Sequence, residues 1–92
     1  MNIQQVFKEV GYEYLHFELV TKKLHARRDL CAFLILDSLV PGAAGIIASA
    51  SYDEISFTVR PEALAKVAAY EDIRDLVRCG VCIECDRLFM FV

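Results

Sequence analysis

The residues best suited to chemistry are thiols. Cys79, Cys82 and Cys85 recur at intervals of three in RCGVCIECDRLFMFV, and Cys31 stands apart in an apolar run. Thiolates so spaced suggest a zinc module of Cys31, Cys79, Cys82 and Cys85, or a redox pair in Cys79-Gly-Val-Cys82. Their surroundings argue against both. A four-thiolate site usually supplies two separated CxxC pairs, and here the remote member is single. A redox CxxC sits at a helix N-terminus, where the dipole lowers the thiol pKa, whereas this one follows a helix end and enters a strand. A ferredoxin-type cluster needs another cysteine where Phe89 stands. Along a strand, residues three apart point to opposite faces, so only a turn can bring Cys82 and Cys85 together. The leading expectation is packed thiols and no metal, with the thiolate zinc module as the alternative.

Other chemistry is sparser. His16 and His25 have no Ser or Asp at a spacing that suggests a triad. Gly42 and Gly45 in PGAAGII lack the Lys-Ser/Thr of a phosphate loop. Glu71, Asp72 and Asp75 open a helical segment, where acids complement the dipole. The expectation is a protein that is not an enzyme and uses no cofactor. Lys22, Lys23, His25, Arg27 and Arg28 form the one basic cluster and could contact phosphates. A net charge of −3, a pI of about 5.3 and the lack of interleaved aromatics make nucleic-acid binding through residues 22–28 a second alternative only.

These residues must be positioned by a small chain. Ninety-two residues, 57% of them hydrophobic and 25% charged, fit one compact domain spanning residues 1–92. The apolar run Cys31–Leu36 is too short for a membrane span, and no signal-peptide pattern opens the chain, so a soluble cytoplasmic protein is expected.

Asn2 caps a first helix carrying Ile3, Val6, Phe7 and Val10, with Gly11 as its stop. Residues 11–20 fit either period; Val10, Tyr14 and Phe17 favour prolonging the helix. Thr21 is placed to cap a second helix that runs through LHARRDLCAFLILDSLV to Pro41 and Gly42. Being apolar nearly all round, that helix should be the buried one. In GIIASASYDEISFTV, Ile46, Ala48, Ala50 and Tyr52 alternate with Ile47, Ser49 and Ser51, and after Asp53 and Glu54 a second strand carries Ile55, Phe57 and Val59. Pro61 begins one helix, or two broken near Tyr70, ending at Arg78 and Gly80. A second hairpin pairs Val81–Glu84 with Arg87–Val92 about Cys85 and Asp86, setting Glu84 across from Arg87.

YDEISFTV and CDRLFMFV align position for position, so the lower half reads as two helix–hairpin units in an internal echo. The expected fold is α+β: a four-stranded antiparallel sheet from two β-hairpins, packed with two to three helices in the order helix-helix-hairpin-helix-hairpin.

Function is expected to reside in contact with another protein. Asp53, Glu54, Asp86, Glu71 and Asp72 offer acids to a basic partner. In LFMFV both strand faces are apolar, so Phe89 and Phe91 need cover from the N-terminal helix, a second copy or a foreign protein. A small acidic chain of this kind fits an inhibitor or adaptor, such as phages and mobile elements direct at a nucleic-acid-handling host complex.

Overall fold

A computed structural model describes residues 1–42 and 44–92. The chain runs α1 (Ile3–Glu9), two 3₁₀ turns (Gly11–Glu13 and Phe17–Leu19), α2 (Arg28–Leu39), β1 (Ile47–Ser51), β2 (Glu54–Phe57), α3 (Pro61–Val67), α4 (Tyr70–Cys79), β3 (Val81–Glu84) and β4 (Arg87–Phe91). The fold is α+β, with four helices and an antiparallel sheet of order β1-β2-β4-β3. Leu88 and Met90 of β4 point into a core shared with Ile35, Leu36, Leu64, Ile73 and Leu76. Arg87, Phe89 and Phe91 alternate to the outer face.

Local signals set several boundaries. The Asn2 carboxamide oxygen accepts from the Gln5 N–H at 3.2 Å, capping α1. Pro61 occupies the first turn of α3. The chain breaks between α3 and α4 at Ala68 and Ala69, and the Asp72 carboxylate takes the Ala69 N–H at 2.8 Å. Gly80 ends α4 with φ +103°. A Cβ there would lie 2.5 Å from Arg28 Nη1 and 2.8 Å from Leu15 Cδ2, so glycine is required for space as well as for conformation.

Residues 11–27 depart from the helical expectation. In place of a prolonged α1 there are two single 3₁₀ turns, and Leu15 between them has φ +66°. Thr21 does not cap α2, which begins at Arg28. Its N–H and hydroxyl, with the Lys22 N–H, all bond the Asp75 carboxylate at 2.8–3.0 Å. Three hydrogen bonds to a buried charge outweigh the modest gain of extending a helix by two turns.

Burial is also distributed differently. α2 buries one face and leaves Leu34 exposed, while the uninterrupted buried stretch belongs to the end of α4, Asp75 to Cys79, continuing through Gly80 to Val81. That helix is enclosed by the sheet, α1, α2 and the 3₁₀ segment.

The first hairpin turns at Tyr52 and Asp53, one residue earlier than the alternation implies, which moves Glu54 into β2. A bulge between Ile47 and Ser49 shifts the register, and every residue of β1 is exposed, so this strand overhangs the helical layer. The second hairpin follows the expected register, with Glu84 opposite Arg87. The two turns share one geometry: Tyr52 and Cys85 have φ +53° and +52°. Aligning them sets Ser56 on Phe89, and these two residues face each other in the β2–β4 ladder.

Candidate interaction surface

The outer face of the sheet has a packed centre and an open corner. At the centre, the Arg87 guanidinium lies 4.2 Å above the Phe89 ring, and the Phe91 ring meets Phe89 edge-on at 5.7 Å. Arg87 Nη1 also bonds Glu54 Oε2 at 3.1 Å and Ser56 Oγ at 2.6 Å, and Nη2 lies 3.7 Å from Glu84. Glu54 first, then Glu84, holds the Arg87 pKa above its ordinary value. Phe89 is buried by its own neighbours; α1 instead packs against α3, α4 and β3.

The corner forms where the first turn meets the end of β4. Glu54 pairs with Phe91, and the Val92 N–H donates to the Asp53 carbonyl at 2.6 Å. Tyr52 is fully exposed, Phe91 44% and Val92 50%. The Asp53 carboxylate beside them has no cation within ion-pair distance among the described residues.

The other acids are dispersed and paired. Asp86, on the second turn at the opposite end of β4 from Phe91, lies 3.1 Å from Arg60. Glu71 is 3.6 Å from Arg74, and Asp72 is 3.6 Å from Lys22, both at the start of α4. The structure thus unites Asp53, Glu54, Phe89 and Phe91 and leaves Glu71, Asp72 and Asp86 elsewhere.

The thiols do not converge. Cys31 and Cys79 lie side by side, fully buried, where α2 meets α4. Burial, reinforced by Cys31, pushes the Cys79 thiol pKa far up and keeps it protonated. Cys82 stands half-buried on β3 beside the Tyr14 phenol; burial raises its pKa and Tyr14 opposes that shift. Cys85 is exposed in the second turn. No group of three or more metal-ligating side chains forms among the described residues.

The basic cluster lies in the loop before α2 and at its first turn. Arg28 donates to the Cys79 carbonyl at 2.9 Å and the Phe91 carbonyl at 3.1 Å, tying α2 to the ends of α4 and β4. Lys22 reaches Asp72, Arg27 lies 3.5 Å from Asp29, and Lys23 covers the Phe17 ring at 4.5 Å. His25 Nδ1 accepts the Arg27 N–H, and His16 is exposed between the 3₁₀ turns.

A buried polar spine along α4 has no counterpart in the sequence reading. Glu13 accepts from Arg74 Nε and, through its other oxygen, from Arg78 Nε and Nη2 at 2.8 and 2.6 Å. Arg78 Nη1 also donates to the Leu19 carbonyl at 2.7 Å. The bond from Arg74, with help from Arg78, holds the Glu13 pKa below its usual value against the opposing effect of burial. Together with Asp75, these residues clamp the 13–22 segment onto α4. The spacing of Arg74, Asp75 and Arg78 along one helix face was visible, but not their partners.

One open groove of about 310 Å³ runs between α1 and β3, lined by Gln4, Phe7, Lys8, Tyr14, Val81 and Cys82 among others. No helix is long and apolar enough to cross a membrane among the described residues. No protein-family model matches the chain, and neither does any curated protein or solved structure.

Proposed function

We propose that the protein is a non-enzymatic interaction module that docks a partner protein on the sheet corner formed by Tyr52, Asp53, Phe91 and Val92. The observation that carries this reading is the exposure of three large apolar side chains around a carboxylate without a cation. Glu54, Glu71, Asp72 and Asp86 each have an intramolecular basic partner. Aromatic side chains that become buried at an interface supply most of its energy, and an unpaired acid beside them selects a partner bearing Lys or Arg.

The dispersal of the thiols and histidines supports a binding rather than a catalytic role. Small size and acidic charge support the role of an inhibitor or adaptor, of the kind phages and mobile elements direct at a host nucleic-acid-handling complex.

Co-purification from the cells that encode the protein tests the reading. Wild type and a Val67→Glu variant, altered at an exposed position of α3, should retain the same partner, and Phe91→Glu combined with Asp53→Lys should lose it. Retention by the double variant would refute the assignment.

A further inference from the structure

We infer that β1 is a homodimerisation edge, pairing antiparallel with β1 of a second copy about a two-fold axis at Ser49. The two edges of the sheet are treated differently. Beside β3, α1 lies across an open groove, and Gln4 Nε2 donates to the Cys85 carbonyl in the turn that follows the strand at 2.9 Å. Among the described residues β1 has no comparable cover: all five of its residues are exposed, Ile47 at 45%. Edge strands are commonly protected by Lys, Pro, a bulge or a covering element, and of these β1 carries only a bulge. Its one irregularity is the bulge at its beginning, which leaves Ser49–Ser51 regularly paired to β2.

The free edge has donors and acceptors to offer. Ser51 and Glu54 flank a two-residue turn and therefore form a hydrogen-bonded pair. Alternation along an antiparallel ladder then directs the N–H and C=O of Ala50 away from β2.

The chemistry of the strand selects a second copy as its occupant. Ser38 to Tyr52 is the longest uncharged stretch in a chain whose net charge is −3, so this is the place where two copies can approach without opposing like charges. Antiparallel pairing about Ser49 sets Ala48 opposite Ala50, Ser49 opposite itself and Ile47 opposite Ser51. No pair within residues 47–51 is bulky on both sides, Tyr52 falls level with Ile46, and Asp53 with the uncharged Gly45 of the other copy. The two acidic turns lie at opposite ends of the junction.

The chain already pairs its two equivalent hairpins in this manner, through β2 and β4. Repeating the arrangement at β1 joins two four-stranded sheets into one of eight strands. Both outer edges would then be β3, each flanked by its own α1, so assembly closes at the dimer. This inference does not rest on the corner formed by Phe91.

Native mass spectrometry with light scattering across a dilution series tests it. Wild type should show twice the 10.4 kDa chain mass, dissociating on dilution. Ala50→Pro removes an N–H that the fold itself does not use, and should give a monomer with unchanged circular dichroism. Ser49→Glu should weaken the dimer by about fivefold through like charges set face to face. Mixing it with Ser49→Lys should restore association as a heterodimer, a result a folding defect cannot produce. Phe91→Glu should remain dimeric. A monomeric wild type at every concentration, a folded Ala50→Pro variant that stays dimeric, or loss of the dimer in Phe91→Glu would each overturn the inference.

Discussion

Ser56 of β2 and Phe89 of β4 face each other at the centre of the sheet, and they are the same position in the two hairpins once Tyr52 is aligned with Cys85. Glu54 and Arg87, likewise equivalent, form an ion pair across this local two-fold axis at 3.1 Å. The echo between YDEISFTV and CDRLFMFV is therefore a structural one. It is also unequal: serine on one side leaves the Phe89 ring to be covered by Arg87 and Phe91.

That inequality separates two phenylalanines by role. Phe89→Ala should lower unfolding free energy by about 2–4 kcal/mol, because a nearly buried ring is removed from a packed stack. Phe91→Ala should cost about 1 kcal/mol or less, its ring being half exposed. Urea denaturation of both variants checks the difference; equal losses would show that Phe91 is a packing residue.

Glu13 makes stability depend on acid. Its folded pKa is depressed, chiefly by the bond from Arg74, so its contribution is present above the ordinary value of 4.5 and is lost as pH falls through the folded pKa. Glu13→Gln should therefore be less stable than wild type at pH 7, and the gap should narrow in progressively more acid buffer. Thermal midpoints across that series measure it; a gap independent of pH would contradict the assignment.

The thiols should react in order of exposure. Cys85 should be modified first by a disulfide reagent, Cys82 more slowly, and Cys31 and Cys79 only on unfolding. Native mass spectrometry of protein prepared without chelator should show no mass added by metal to either monomer or dimer. A bound zinc lost in Cys82→Ser would contradict the dispersed arrangement.

Gly80→Ala should be strongly destabilising. A left-handed alanine costs about 1–2 kcal/mol from the backbone alone. Its Cβ would also displace Arg28 from the Cys79 and Phe91 carbonyls. Ala substitution at Gly11, where no atom lies within 4 Å of the added Cβ, serves as the control in the same denaturation assay.

The parts of the fold legible in the sequence are those governed by neighbours in the chain. Asn2, Pro61 and Gly80 mark helix ends through local capping, and the second hairpin follows directly from its alternation. The first turn falls one residue earlier than the alternation implies because Tyr52 takes up the left-handed conformation, φ +53°, that a two-residue hairpin turn needs. Residues 11–27 are illegible for a different reason: Glu13, Thr21 and Lys22 are placed by Arg78 and Asp75, more than fifty positions away. Tertiary bonds to buried charge there override the helical pattern of Tyr14 and Phe17.

The candidate surface was half visible. Charge grouped Asp53 with Asp86, Glu71 and Asp72, but strand order carries Asp86 to the far end of β4 and α4 takes up the other two. The alternation places Tyr52 in a strand, and only the turn geometry shows it to be the most exposed aromatic of the corner.

The most direct test of the interaction account places a photo-crosslinking amino acid at position 91 and, separately, at position 67, with the protein expressed in its native cells. The account predicts one discrete adduct from position 91, abolished by Asp53→Lys, and none from position 67. Adducts from position 67 alone would put the binding surface on the helical side and contradict the assignment of the Tyr52, Asp53 and Phe91 corner.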